Sequence, residues 1–313
     1  MNAPLATFDC RQSFAETLSA LARENDRIVA VCNDSVGSSN LVAFQKEFPN
    51  RLINVGIAEQ DMVGVAAGLA NGGFIPFVCA AAPFLTGRAT EQVKADVAYS
   101  RYHIVLCGMS PGMAYGELGP THHSIEDLSW MRAMSGLSVL MPADPEQTAA
   151  AVTWAATAGK PIYMRVGRTK VPSVSAGQAD PFVYGKANVV RGGGDVTVIA
   201  TGTLVSRAIE ASGRLATEGI GVRVVNMSTI SPLDEAAVIA AARETGAIVT
   251  AEEALVEGGL GAAVASVVVR HHPVPMRILG VPGFAPTGSA EFLLDHFNLN
   301  ADGIIAAVRE LRG

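Results

Sequence analysis

The sequence contains few charged and few aromatic residues, and its cysteines are too scattered for a disulfide framework. Charged residues make up 17% of the 313 residues and aromatic residues 6%, whereas hydrophobic residues reach 49%. The four cysteines are far apart and form no CxxC pair, so we expect reduced thiols in a cytoplasmic protein and no zinc site. The net charge of −6 argues against nucleic acid or an anionic membrane as a partner.

One uncharged stretch, residues 62–87, is long enough to cross a membrane. Asn71, the pair Gly72 and Gly73, and Pro76 interrupt it. Turn-forming residues at these positions favour a helix, a tight turn and a buried strand over a membrane helix. The N-terminus also lacks a basic region followed by an apolar stretch. Neither a membrane span nor a signal peptide is therefore predicted.

Short, continuous apolar runs alternate with amphipathic stretches along the chain. The first series predicts strands at 27–32, 51–56, 74–80, 103–108, 137–142 and 161–166, and helices at 11–24, 58–71, 86–99, 124–134 and 144–158. The second series predicts strands at 195–202, 221–227, 247–253 and 275–281, and helices at 204–217, 233–244 and 259–270. Such alternation is typical of parallel sheets covered on both faces. We predict an α/β protein with two doubly wound domains, 1–170 and 195–313, and an exposed linker at 171–194.

Ligands of such sheets gather at the carboxyl ends of the strands, so the loops after the strands are candidate sites. Three of these loops are unusual, at 33–40, 55–61 and 108–127. Glu59 follows a predicted strand and begins an apolar helix. It is either an ordinary carboxylate stabilised by the helix dipole or a functional carboxylate whose protonation is set by apolar surroundings.

The loop that ends in His122 and His123 is long and rich in glycine. In a compact α/β domain, a loop of this length more often has a function than serves only as a connection. The two histidines could equally be solvated loop residues or part of a helix cap. Ser124, with Asp127 three residues later, predicts an N-cap and a helix that begins there.

Arginines offer candidate anion sites, because a guanidinium group pairs with phosphate through two hydrogen bonds. Arg11, Arg165 and Arg168 are the candidates in this sequence. Each of them, taken alone, could equally be an ordinary surface or salt-bridge arginine.

Several motifs, taken in order, resemble the transketolase family. VGIAEQDMVGVAAGLANGGFIPF, TGRATEQVKADVAY, GELGPTHHSIEDLSWMRAM and MPADPEQ resemble its pyrimidine-binding domain, while TGTLVSRAIEA and EEALVEGGLGAAVA resemble its C-terminal domain. The resemblance covers nearly the whole chain, and the combination of GIAEQ with GPTHH is specific. It implies a thiamine-diphosphate pyrimidine-binding fold with a mostly parallel sheet, followed by a smaller α/β domain.

The resemblance also implies roles for individual residues. Glu59 would hydrogen-bond the aminopyrimidine of thiamine diphosphate and so promote deprotonation of the thiazolium carbon. His122 would be the second catalytic residue and would contact the donor or acceptor sugar. The implied cofactor-binding residues are Glu59, Phe84, Ala81, Asp34 and Ile57. The implied substrate-binding residues are Arg11, Ser38, Ser39, Leu118, His122 and Arg165, with the two arginines on the substrate phosphate.

Three positions depart from the family pattern. Leu118 stands where the family commonly has an aspartate that touches a sugar hydroxyl, and Ala81 stands where an aromatic residue usually stacks on the pyrimidine. A loop histidine near the acceptor phosphate is replaced in the region of Ser110 and Pro111. Because the loss of a buried polar contact changes substrate discrimination strongly, we expect a specialised ketol transferase.

The family's segment that holds Mg²⁺ and the cofactor diphosphate has no counterpart in this sequence. Since Mg²⁺ requires oxygen ligands and diphosphate requires backbone donors, another chain must supply them. The resemblance thus implies the C-terminal subunit of a split transketolase, assembled with an N-terminal subunit as α2β2. It would transfer a two-carbon ketol unit from a ketose or ketose phosphate donor to an aldose or related acceptor.

Three other hypotheses fit the same layout. The chain could be the beta subunit of a 2-oxoacid dehydrogenase's decarboxylating component, although GIAEQ and GELGPTHH argue against it. It could be a piece of a 1-deoxyxylulose-phosphate synthase, which is normally one long chain. It could also be a non-catalytic scaffold subunit, a hypothesis to which Ala81 and Leu118 lend support.

Overall fold

Two largely parallel sheets form the framework of the computed structural model, which describes residues 6–313. The strands are β1 Thr7–Phe8, β2 Ile28–Cys32, β3 Leu52–Asn54, β4 Ile75–Ala81, β5 Val105–Met109, β6 Ser138–Leu140, β7 Ile162–Val166, β8 Val171–Pro172, β9 Asn188–Arg191, β10 Val196–Ala200, β11 Val222–Asn226, β12 Thr229–Ser231, β13 Ile248–Leu255 and β14 Met276–Val281. The sequence therefore predicts the α/β class with two parallel sheets correctly, and the fold class is confirmed.

Helices cover the sheets. They are α1 Cys10–Glu24, α2 Val42–Glu47, α3 Glu59–Asn71, α4 Ala82–Gly87, α5 Thr90–Gln92, α6 Asp127–Arg132, α7 Pro145–Ala155, α8 Leu204–Ala216, α9 Glu235–Thr245, α10 Leu260–His271, α11 Ala290–His296 and α12 Ala301–Arg312. A π-helical segment, Val93–Tyr99, continues α5, and a 3₁₀ turn spans Gly116–Leu118. No helix within residues 6–313 has the length and apolar character needed to cross a membrane.

The first sheet has seven strands in the order β12-β6-β7-β5-β4-β2-β3. All its neighbouring strands are parallel except β12, which runs antiparallel to β6. The strands β2, β5 and β7 are buried along their whole length. Their continuous apolar sequences, such as IVAVC, suit burial under helices on both faces.

The second sheet has five strands in the order β14-β13-β10-β11-β9, with β9 antiparallel at one edge. The two halves of the chain are interwoven, since β12 lies in the second half of the sequence but completes the first sheet. Val139 and Met141 share one buried apolar cluster with Ile199, Val225 and Met227. The halves therefore meet through a continuous core.

The segment 171–194 differs from the exposed linker that its composition predicts. It contains β8, which pairs with β1, and β9, which belongs to the second sheet. Phe182 is buried, with its ring centroid 5.9 Å from that of Trp154. A few apolar residues among the glycines and prolines are enough to attach the segment to the domains, because each of them buries area against the core.

The sequence predicts the N-cap residue correctly for α7 but not for α6. Asp144 caps α7 as predicted, accepting a hydrogen bond from Gln147 N at 2.8 Å. The prediction that a helix begins at Ser124 is wrong, because α6 begins at Asp127 and the Ser124 hydroxyl is buried without a partner within residues 6–313. The Asp127 carboxylate accepts hydrogen bonds from the Arg165 side chain and from the Leu128 N–H.

Asp144 also holds the start of the 171–194 segment. Its second oxygen accepts hydrogen bonds from Val174 N at 2.7 Å and Ser175 N at 2.6 Å.

We expect Asp144→Ala to lower the free energy of unfolding by about 2–4 kcal/mol, because it removes a cap and leaves buried donors unpaired. Urea unfolding measures this, with exposed Asp180→Ala as control; equal midpoints for the two variants would contradict the assignment.

Candidate active site

Five neighbouring parallel strands end at one edge of the first sheet, and the candidate residues follow them. Asn33 comes after β2, Glu59 after β3, Arg88 after β4, His122 in the loop after β5, and Arg168 after β7. The carboxyl ends of parallel strands meet at the same edge, which is the usual place for a ligand. The loop after β5, residues 110–124, is called the histidine loop below.

Glu59 is a buried carboxylate at this edge, with 4% of its surface exposed. Its Oε1 accepts hydrogen bonds from Asn33 Nδ2 at 2.8 Å and Arg88 Nη1 at 2.9 Å. Within residues 6–313, Oε2 accepts none. The carboxylate is thus held in a fixed orientation by one oxygen, and the other oxygen remains available to a ligand.

A row of three rings with an arginine at each end leads away from Glu59. The Arg88 guanidinium lies 4.0 Å from the centroid of the Phe84 ring, which meets the His122 ring edge-on at 5.1 Å. His122 in turn lies 6.3 Å from the Tyr115 ring, and the Arg168 guanidinium lies 5.1 Å from the same ring. These contacts bring the candidates Glu59, Phe84, His122 and Arg168 into one row, and they add Arg88 and Tyr115 to the group.

The loop after β2 supports Asn33 from the other side. Ser35 Oγ donates to Asn33 Oδ1 at 2.6 Å, and the hydroxyls of Ser35 and Ser39 are 3.3 Å apart. Ser39 is fully buried in this relay, whereas Ser38 is exposed and its hydroxyl donates to the Ser35 carbonyl at 3.2 Å. Ser39 is therefore linked to Glu59 through two intervening side chains.

Arg11 lies against the same loop. Its Nη1 donates to the Ser38 carbonyl at 2.8 Å, and its Nη2 donates to Asp9 Oδ2 at 2.6 Å. Much of its hydrogen-bonding capacity is therefore used within the chain. Asp34, with a φ of 69°, is held by Asn54, which donates to its carboxylate at 3.1 Å.

The remaining predicted residues offer apolar surface. Ile57 is 78% exposed and Leu118 is 56% exposed, while Ala81 is half-buried where β4 ends. Exposed side chains of this size at a site edge are available to a ligand or to another chain. Leu118 lines a pocket of about 370 Å³ together with Tyr115, Glu117 and Arg168.

The two histidines of the loop have different environments. His122 is half-buried, and its Nδ1 lies 3.0 Å from Thr121 Oγ1. His123 is buried, with Nε2 3.4 Å from the Gly116 carbonyl and Nδ1 without a partner within residues 6–313. Burial lowers the pKa of His123, which favours the neutral ring. His122 faces the row of rings, and His123 belongs to the loop interior.

Arg165 does not lie where a substrate-binding arginine would. It is 1% exposed, and the chain itself accepts from all three of its nitrogens. Nε donates to Asp127 Oδ2 at 2.8 Å, Nη1 to the Glu253 carbonyl at 3.1 Å, and Nη2 to the Ser124 carbonyl at 3.0 Å and to Asp127 Oδ1. Burial alone would lower the pKa of Arg165, but the Asp127 carboxylate raises it. With no donor left over, the geometry gives Arg165 a structural role and does not support phosphate binding.

Arg168, the third arginine candidate, has the properties that Arg165 lacks. It is exposed, it makes no ion pair within residues 6–313, and it lines the pocket with Leu118. Only two residues separate the two arginines. Arg165 lies within β7, which is buried along its whole length, whereas Arg168 lies beyond the end of the strand, where the chain is exposed.

Sequence reasoning did not single out Asn33, Arg88 and Tyr115. Arg88 lies inside the TGRATEQVKADVAY motif, and Asn33 begins an unusual loop after a strand. Their positions just beyond β2 and β4 were the available signal. Across residues 6–313 no three His, Cys, Asp or Glu side chains are grouped so that they could hold a metal ion.

We expect Arg165→Met to lower the free energy of unfolding by about 3–5 kcal/mol, because the Asp127 carboxylate then stays buried without its counter-charge. Chemical denaturation of the full chain measures the change. Arg309→Met, which breaks an exposed pair with Glu218, is the matched control and should change stability little. Similar decreases in the free energy of unfolding for the two variants would contradict the prediction that the buried pair of Arg165 and Asp127 contributes more to stability than an exposed pair does.

The fold and the site thus define an α/β protein with two largely parallel sheets and a buried carboxylate beside aromatic rings at the ligand-binding edge of the first sheet. Residues 6–173 match the family model "Transketolase, pyrimidine binding domain", and residues 185–304 match "Transketolase, C-terminal domain". The chain therefore belongs to the transketolase family, of which it represents the C-terminal section.

Similar proteins include components of split transketolases. The chain is 43% identical to a component chain of the apulose-4-phosphate transketolase of Phocaeicola vulgatus, over 96% of each chain. It is 40% identical to the 6-deoxy-6-sulfo-D-fructose transketolase subunit SqwH of a Clostridium species, over 96% of this chain and 94% of the relative. A solved structure described as a split gene transketolase, inactive beta4 tetramer, aligns with a TM-score of 0.88 at 37% identity and 98% coverage of both chains.

Proposed function

We propose that the chain is the C-terminal subunit of a thiamine-diphosphate-dependent transketolase that acts with a separate N-terminal subunit. It transfers a two-carbon ketol unit from a ketose phosphate donor to an aldose or related acceptor. The observation that carries this proposal is the Glu59 carboxylate, buried at the sheet edge with Oε1 held and Oε2 without a partner within residues 6–313.

The residues at the sheet edge fit the pyrimidine end of thiamine diphosphate. The cofactor supplies the carbanion stabilisation that breaking a bond beside a carbonyl requires. Glu59 Oε2 is the atom that would share a proton with the pyrimidine ring nitrogen, and the Phe84 ring would cover an apolar face. Ala81, Asp34 and Ile57 border the same region, since Ala81 is the last residue of β4 and the other two lie on the loops after β2 and β3.

Asn33 and Arg88 keep Glu59 ready for that contact. Both donate to Oε1, so the carboxylate cannot rotate without breaking two hydrogen bonds. Arg88 is itself held against Phe84. Preorganisation of this kind lowers the reorganisation needed when the proton moves.

His122 and Arg168 are suited to the sugar. His122 Nε2 makes no hydrogen bond within residues 6–313, so it can bind a sugar oxygen while Nδ1 stays beside Thr121 Oγ1. Arg168 has free donors in the pocket beside Leu118, and we assign to it the phosphate contact that the sequence suggested for Arg165. Arg11, Ser38 and Ser39 border the substrate region on the side of the loop after β2.

A partner chain completes the site in this proposal. The relatives' names describe subunits of transketolases, and the similar solved structure is named as an inactive tetramer of beta chains of a split-gene transketolase. We infer that the N-terminal subunit holds Mg²⁺ and the cofactor diphosphate and that two copies of each chain form an α2β2 assembly. Exposed Ile57, two residues before Glu59, provides apolar surface where that subunit would approach.

The partner is tested by purifying the tagged chain from its native host and weighing the complex by native mass spectrometry with Mg²⁺ and thiamine diphosphate. We expect a second chain of similar size that co-purifies and carries the cofactor with it. A chain that emerges alone and binds no cofactor under these conditions would overturn the split-transketolase proposal.

Glu59→Gln should lower the ketol-transfer activity of the reconstituted complex by about 100-fold or more, because an amide cannot share a proton with the ring nitrogen. The assay is ketol transfer at saturating cofactor, with thermal unfolding to check the fold. Glu91→Gln, at an exposed carboxylate of α5, is the control. Unchanged activity of the Glu59 variant would favour the scaffold hypothesis.

Arg168→Met should raise the KM for a phosphorylated ketose donor roughly 10- to 100-fold, the value of one to two charge-assisted hydrogen bonds. The KM for an unphosphorylated donor should change much less. Steady-state kinetics with both donors measures the difference, and exposed Lys170→Met provides the control for the loss of one positive charge nearby. Equal effects on the two donors would contradict the phosphate contact.

A further inference from the structure

The histidine loop is closed at its base and would otherwise project from the sheet edge as a free segment. Ser124 N donates to the Gly112 carbonyl at 2.7 Å, and Gly112 N donates to the Ser124 carbonyl at 3.0 Å. These paired hydrogen bonds join the two ends of the loop, and Ser124 follows His122 by two residues, so the loop is fixed on the C-terminal side of the histidine. On the N-terminal side, His122 lies ten residues after Gly112, and the stretch between them needs attachments of its own.

The first attachment comes from β13 of the second sheet. Glu253 is buried, and its Oε1 accepts a hydrogen bond from Met113 N at 2.6 Å. Its Oε2 accepts from Thr203 Oγ1 at 2.9 Å. Gly112 packs so closely that a methyl group there would lie 2.5 Å from Glu253 Oε1, and its φ of 65° also favours glycine.

The second attachment comes from residues 287–289, between β14 and α11. Gly288 N donates to the Gly116 carbonyl at 3.1 Å, at the start of the 3₁₀ turn. A methyl group on Gly116 would lie 2.4 Å from the Gly288 carbonyl, and one on Gly119 would lie 2.7 Å from Thr287 Oγ1. The backbone of the loop is therefore hydrogen-bonded to the second domain at Gly116, six residues before His122, and packs closely against it at Gly119.

We propose that the C-terminal domain positions His122 for the sugar by holding the histidine loop at these two attachments, with Glu253 as a positioning residue. The proposal rests on the proposed function, since it assigns the second domain a task in the same reaction. It gives that domain a role at the active site although none of the residues assigned to cofactor or sugar lies in it.

The adjacent glutamate provides an internal comparison. Glu252 is also buried, but its two oxygens accept from Leu260 N and Gly261 N, both at 2.7 Å, at the start of α10 in the same domain. Burial raises the pKa of both Glu252 and Glu253. The two carboxylates are thus alike in burial and in hydrogen-bonding capacity, and only Glu253 contacts the histidine loop.

Amide hydrogen exchange on the full chain, without partner or sugar, tests the attachment. Glu253→Ala should speed exchange in residues 112–123 roughly 10-fold or more relative to wild type, since opening of the loop no longer breaks the Met113 hydrogen bond. Glu252→Ala should leave exchange in these residues unchanged even where it lowers the melting temperature. Equal acceleration in both variants, or none in the Glu253 variant, would overturn the proposal.

Kinetics of the reconstituted complex tests the consequence for His122. Glu253→Ala should lower kcat/KM for the sugar about 10-fold or more while the Kd for thiamine diphosphate stays unchanged, because Glu59 and its partners are untouched. Glu253→Gln should restore most of the loss, since its amide can accept from Met113 N and donate to Thr203 Oγ1. A loosened loop with unchanged sugar kinetics would refute the positioning role.

Gly116→Ala provides a second route should Glu253→Ala fail to fold. The added methyl group pushes against the Gly288 carbonyl at the other attachment, so loop exchange and sugar kinetics should change in the same direction as for Glu253→Ala. Normal cofactor binding without ketol transfer in the wild-type complex would count against the proposed function. The exchange experiment depends on neither activity nor partner, so the two failures are distinguishable.

Discussion

The rest of the structure depends on the buried ion pair and hydrogen bonds of the Arg165 guanidinium group. It joins β7, the end of the histidine loop at Ser124, the start of α6 at Asp127 and strand β13 at Glu253. A buried charge is tolerated only when its counter-charge and hydrogen bonds are complete, so these four elements have one mutual arrangement that satisfies it. The same arrangement fixes the distance between the two sheets and brings Glu253 beside the loop.

The active site follows from that arrangement in two layers. The parallel order of the first sheet brings Asn33, Glu59, Arg88 and His122 to one edge although they are far apart in sequence. The second domain then restrains the longest of the loops at that edge. Side chains at the ends of strands and helices can thus act together with a histidine on a loop that the second domain holds in place.

Most of the fold and the centre of the site could be predicted from the sequence. Continuous apolar runs identify buried strands such as β2 and β7 within one or two residues, because their short length and their β-branched residues favour a strand over a buried helix. Short edge strands such as β9 and β12 were missed, since pairing with a distant partner rather than local propensity makes them strands. Domain boundaries and the roles of individual site residues stay predictions.

The choice between Arg165 and Arg168 shows where a sequence stops being informative. The two arginines are three positions apart in the sequence, one within β7 and one just beyond its end. Which of them is buried depends on Asp127, on Ser124 and on a carbonyl from the other sheet. The prediction that α6 begins at Ser124 fails for a similar reason, because Asp127, near the start of this helix, is paired with the distant Arg165. Long-range partners decide both cases.

The antiparallel strand β12 has a consequence for how the chain can be cut. It is contributed from beyond residue 228 and covers the otherwise open edge of β6. A fragment that ended between the two sheets would expose the backbone donors and acceptors of β6 and could pair with other molecules along them. Exchanging the C-terminal half for that of a relative would therefore also exchange a strand of the first sheet, at whose edge Glu59 lies.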